Sequence, residues 1–137
     1  MRQIAWTTDL AVGIEEVDLD HQRLVSCLND VFQATQSANA DKPSTTLHDA
    51  LNALRQQSKE HFAHEEGVMR RIAYPALAHH RILHEDLMTA LNVLIDQFDQ
   101  NAKNTLSSDT MQSLEVWLLH HIEYEDKKIG AHTGATA

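Results

Sequence analysis

The chain has 137 residues, 42% of them hydrophobic, with 20 acidic against 11 basic side chains and a net charge of −9. That length buries a core without disulfides, and the acidic balance disfavours nucleic acid and anionic membrane as partners. Four glycines and two prolines are too few for a turn-rich β protein, and the single cysteine excludes an internal disulfide.

Residues 1–17 carry Trp6, Leu10, Val12, Gly13, Ile14 and Val17 without helical periodicity, which predicts an extended arm laying Trp6 and Ile14 over the core. The start holds no apolar run long enough for a signal peptide or membrane span, so the expected location is the cytoplasm. A first helix is expected from about Asp18, with Asp18 as cap and Asp20 in the first turn. Its stripe reads His21, Leu24, Val25, Leu28, Val31 and Phe32, and Cys27 on this helix is given a packing role. A loop follows over 37–44. The second helix, from about Ser44, points Leu47, Leu51, Leu54, Ser58, His61, Glu65, Met69 and Ile72 inward and ends before Tyr74, because Pro75 turns its predecessor away from the α region.

The third helix shows Leu77, His80, His84, Leu87, Leu91, Leu94 and Phe98 at steps of three or four. A polar loop over 101–108 offers Ser107 or Ser108 as cap for a fourth helix, whose inward face reads Met111, Leu114, Trp117, Leu118, His121 and Ile122. Residues 130–137 are small and polar and read as a flexible tail or the start of a linker. The expected fold is all-α: one domain, with an arm over 1–17 and an up-down-up-down antiparallel four-helix bundle over 18–129.

Histidine carries the functional signal. His21, His61, His80, His84 and His121, with Glu65, occupy seats where the pattern asks for apolar side chains, and they come from all four helices. Buried singly, each imidazole would need its own partner, and an ionised glutamate still more so. Together they make a metal centre the economical reading. Five imidazoles exceed one tetrahedral zinc site, and one thiol with few clustered oxygens argues against iron–sulfur, calcium or magnesium. A pair of first-row metals bridged by carboxylates fits better, the second bridge being Glu125 or Asp126. Periodicity alone favours Glu125, four residues after His121, since five residues turn an ideal helix about 140° out of line. His48, His64, His79, His120 and His132 fall off the inward stripes or in the tail and read as surface residues. Glu66, next to Glu65, is a helix-face charge or a hydrogen-bond partner to a ligand imidazole.

The stretch His61-Phe62, Glu65-Glu66, Met69, Tyr74, His80 and His84 resembles the hemerythrins in residue and spacing. Upstream, Trp6, Gly13-Ile14 and Asp18 through His21 are similar to the arm and first ligand of bacterial hemerythrins, and Trp117-Leu118, His121-Ile122 and Asp126 to their last helix. The likeness covers about residues 4 to 129. It implies that His80, His84 and His121 hold one iron, His21 and His61 the other, and that Glu65, Asp126 and an oxo or hydroxo group bridge them. With Asp126 in place of Glu125, a widened turn or π-bulge is expected between His121 and Asp126. If each iron takes about six ligands, this set fills all but about one position, on the iron with two histidines. The resemblance implies reversible binding of dioxygen there as hydroperoxide, for carriage or storage. Leu118 and Ile122, beside His121, are the expected pocket lining. The alternative is an oxygen or redox sensor acting on a fused or partner signalling module. No nucleophile–base pair or phosphate-binding loop argues for an enzyme.

Overall fold

A computed structural model of the chain describes residues 4–37, 45–100 and 106–133. Its elements are a 3-10 turn at Thr8–Leu10 and helices α1 (Glu15–Ser37), α2 (Thr45–Arg71), α3 (Leu77–Gln100) and α4 (Ser108–His120). A π-helical segment, His121–Asp126, continues α4 into α5 (Lys127–Thr133). No strand occurs among the described residues. The helices form the antiparallel bundle that the stripes predicted. At one end, Val31 and Ala34 near the close of α1 meet Leu47 near the start of α2, Phe98 of α3 and Met111 of α4 in one buried cluster. At the other end the same stripes carry the histidines, near the start of α1, the end of α2, the start of α3 and the end of α4. Core and site are therefore two stretches of one interior.

The arm is as expected in its packing. Trp6 lies against Leu10, Val25 and Ile122, and Ile14 against Val12, Val17 and Val68. Helix α1 begins three residues before the expected Asp18. The Asp18 carboxylate still binds orphan amides, but those of the preceding turn: Oδ1 accepts from Val12 N at 2.7 Å and Oδ2 from Gly13 N at 3.2 Å. Gly13 takes φ 91°, which only glycine adopts without strain, and this lets the arm turn sharply into the helix.

The turn between α2 and α3 is a Schellman motif. Ala73 sits at φ 53°, its N–H donates to Arg70 O at 3.1 Å, and Tyr74 N–H donates to Met69 O at 2.9 Å. Pro75 then prevents any continuation, so α3 reverses direction within a few residues. At α4 the cap is Ser107, whose hydroxyl accepts from Thr110 N at 3.1 Å. The chain stays helical past Gly130: Ile129 and Gly130 are buried and α5 ends at Thr133, so the expected tail is helical in its first part. The loops expected over 37–44 and 101–108, and the end of the tail at 134–137, fall wholly or largely outside the described residues. Among the described residues no helix is long and apolar enough to cross a membrane.

Candidate metal centre

The structure brings all seven expected side chains together. His21 comes from α1, His61 and Glu65 from α2, His80 and His84 from α3, and His121 and Asp126 from the two ends of the π segment; none exceeds 5% exposure. Their donor atoms form two groups, Glu65, His80, His84, His121 and Asp126 in one and His21, His61, Glu65 and Asp126 in the other. The two carboxylates are common to both. Every imidazole turns Nε2 inward. His80 and His84 place it 2.8 and 3.0 Å from Glu65 Oε1, and His80 and His121 each 3.0 Å from Asp126 Oδ1. In the smaller group His61 Nε2 is 3.0 Å from Glu65 Oε2, His21 Nε2 is 2.8 Å from Asp126 Oδ2, and the two nitrogens are 3.1 Å apart.

These atoms fit metal ions better than they fit each other. Glu65 Oε2, both Asp126 oxygens and His121 Nε2 are buried without a hydrogen-bond partner, despite neighbours at hydrogen-bond range. Their lone pairs are aimed at shared points between them. Spacings near 3 Å are also what adjacent ligands show around an ion bound at about 2.1 Å. Imidazole and carboxylate in this ratio suit iron and other first-row metals.

The π segment sets which acid near the end of the fourth helix faces the cluster. In i→i+5 bonding, residues five apart come round to one face, so His121 and Asp126 both point inward. Glu125, the choice of regular periodicity, is rotated out, 21% exposed and 3.3 Å from Lys128 Nζ.

Electrostatics hold the metal-free cluster together through protons. Burial opposes a charge on His61, yet hydrogen bonds to Asp20 and Glu65 outweigh it and push its pKa up to about 10. The same balance, with Asp126 and Glu65, takes His80 to about 9 and raises His21. Burial would lift the Glu65 and Asp126 carboxyls, but the surrounding imidazoles hold both low. A bound cation replaces these protons, so loading releases them.

Two residues around the ligands were legible only in part. Asp20, read from sequence as a first-turn charge, is 6% exposed, and its Oδ2 lies 3.2 Å from His61 Nδ1 and 2.5 Å from His64 Nδ1. Its spacing of four from Leu24 was the available signal. Burial works against its charge, but His61 and His64 outweigh that and lower its pKa to about 2. Glu66 takes the hydrogen-bonding role: its Oε2 lies 3.0 Å from His84 Nδ1, while Oε1 pairs with Arg81. His64 is therefore tied to the network although its side chain is 41% exposed. Three of the other off-stripe histidines have partners outside it, and His79 is exposed. His48 pairs with Asp99, His132 stands edge-on to Tyr74, and His120 stacks on Tyr124.

The expected pocket lining divides. Leu118 borders a small cavity of about 10 Å³ with Ser58, Phe62, Leu87, Leu91, Leu114 and Trp117. Ile122 is buried instead against Leu10 and Val25. Trp117, expected to face inward, is 37% exposed: it stands between this cavity and an outer cleft of about 300 Å³ that reaches His121. Phe62 stacks on His84 at 4.1 Å between centroids, closing the wall beside the ligands.

Comparison with known proteins agrees with this geometry. A family model described as the hemerythrin HHE cation binding domain matches residues 12–132. Bacteriohemerythrin of Stenotrophomonas maltophilia (strain R551-3) is 27% identical over 127 residues, spanning 93% of this chain and 79% of that protein. Myohemerythrin of Theromyzon tessulatum is 24% identical over 123 residues, spanning 90% and 88%. A solved wild-type hemerythrin superposes with a TM-score of 0.82 at 23% identity, over 95% of this chain and 97% of that one, which speaks to the fold. With the match running from the arm through α5, the chain belongs to the hemerythrin HHE cation-binding family.

Proposed function

We propose that the chain binds dioxygen reversibly at a centre of two non-haem irons held by His21, His61, Glu65, His80, His84, His121 and Asp126. The observation that carries this reading is the unequal division of the ligands: three imidazoles on one side of the shared Glu65 and Asp126, two on the other. The side of His21 and His61 is the one with fewer protein donors, and this reading assigns the small ligand to it. Two ferrous ions supply the electron pair that reversible capture of dioxygen requires.

The protein's own work is to hold and to exclude. The Asp20 and Glu66 carboxylates accept from Nδ1–H of His61 and His84, which fixes the tautomer that turns a lone pair on Nε2 inward. Glu65 and Asp126 offset cationic charge in a space closed to water. Leu87, Leu91, Leu114 and Leu118 with Phe62 make most of the wall of the adjoining cavity hydrocarbon, and a largely apolar wall slows the proton delivery that would make oxidation irreversible.

An optical spectrum of the reduced, iron-loaded protein tests the proposal. A visible band should develop in air and vanish on deoxygenation over repeated cycles. Rapid one-way oxidation would overturn carriage in favour of redox sensing, and a protein that saturates with one ion would overturn the two-metal centre.

A further inference from the structure

Ser58 stands on α2 one turn before His61, at 0% exposure, in the wall of the cavity beside the centre. Its Oγ has no hydrogen-bond partner. A serine inside a helix commonly returns its hydroxyl to the carbonyl one turn back, and here that bond is not made. The neighbouring seats on the same stripe, Leu47, Leu51 and Leu54, are all leucine and all fully buried. The chain thus keeps a desolvated, unpaired hydroxyl where packing alone calls for a hydrocarbon, at a cost in stability. An ordered water does not answer the need. A cavity of about 10 Å³ is at the lower limit for one, and of its lining side chains only Ser58 and Trp117 carry a polar atom, where a water wants two to four partners. What remains to meet the hydroxyl is the outer atom of a small ligand held at the adjoining centre, provided that atom is an acceptor.

We propose that Ser58 is a hydrogen-bond donor reserved for the small ligand held at the adjoining centre, so that the pocket selects ligands with a terminal acceptor over equally small ones without it. This rests on the two-iron reading above and names a residue that tunes it. Dioxygen belongs to the class, and in the oxidised protein so does a linear anion such as azide, which serves as the probe.

The test compares wild type, Ser58→Ala and Ser58→Thr. In the oxidised, iron-loaded proteins, Ser58→Ala should weaken azide about fivefold to tenfold, the worth of one hydrogen bond, and abolish the H2O/D2O shift of the azide stretching frequency. Ser58→Thr, which keeps the hydroxyl, should retain both. In the metal-free proteins Ser58→Ala should raise the melting temperature by about 3 to 6 °C, because it removes an unpaired buried hydroxyl. Equal azide affinity and isotope shift in wild type and Ser58→Ala would overturn the donor role. A lower melting temperature would do so too, by showing that the hydroxyl has a structural bond. An azide band absent from all three would overturn the two-iron reading, and the donor role with it.

Discussion

Asp20→Asn is the substitution that best isolates how the fold prepares a ligand. His61 can offer Nε2 to a metal only while its proton sits on Nδ1, and Asp20 Oδ2, 3.2 Å away, is the group that holds it there. Asparagine keeps the shape and removes the charge, turning a charge-assisted hydrogen bond into a neutral one or, with the amide reversed, into a clash of donors. Bonds to charged groups contribute about 1.5–3 kcal/mol, so the ion on the side of His21 and His61 should be held about 10- to 100-fold less tightly. The other side should be spared, because the corresponding carboxylate there is Glu66 on His84, 3.0 Å from Nδ1. Glu66→Gln should accordingly weaken the opposite ion, and by less, since that side keeps two further imidazoles and Glu66 is 18% exposed. Calorimetric titration with ferrous iron under anaerobic conditions measures the two affinities, and anomalous scattering from partly loaded crystals assigns the ion that remains. An Asp20→Asn protein that binds both ions as wild type does, or that first loses the ion beside His80, His84 and His121, would refute the reasoning.

Other outcomes follow from the same geometry. Leu118→Ala should cost about 2–4 kcal/mol in urea unfolding, because the residue is only 7% exposed, and should speed autoxidation by admitting water; an unchanged oxidation rate would remove Leu118 from the pocket. Asp126→Asn should lower the metal content measured by elemental analysis below two ions, whereas Glu125→Gln, at a residue turned toward Lys128, should leave it intact. The metal-free protein should be most stable in mildly acid solution. His61 and His80, raised from 6.5 to about 10 and about 9, contribute stability that is full below about pH 6.5 and lost as pH rises through those values. Glu65 and Asp126, lowered from 4.5 and 3.8, contribute stability present above about pH 4.5 and lost as pH falls. Urea midpoints across pH 3–10 check this, and a flat profile between about 6 and 10 in the absence of metal would contradict it.

What the sequence made legible, and what it hid, separates along one physical line. The bundle was readable because burying an apolar stripe every three or four residues is a demand that each helix expresses in its own sequence, and His61, Glu65, His80 and His84 were readable because they interrupt that stripe in register. Asp126 was not, because regular periodicity cannot reach it: the turn from His121 to Asp126 departs from α geometry, and only the family resemblance argued for it. The departure and the site explain each other. A fourth helix kept regular would present Glu125 with His121, whereas one wide turn exchanges it for the shorter carboxylate that reaches both ligand groups. Asp20 was missed for a different reason. Its partner His61 lies on another helix, 41 residues away, so the local spacing from Leu24 could mark Asp20 as inward but not as a carboxylate that orients an imidazole. Trp117 failed in the opposite sense: its apolar character fits an inward seat, yet its position beside a cleft leaves it at the surface between solvent and the inner cavity. Apart from Asp126, the candidate ligands are therefore written in the periodicity of single helices, while the groups that hold their imidazoles in one tautomer arise only where two helices meet. That is why removing an orienting carboxylate should alter metal affinity while the bundle itself stays folded.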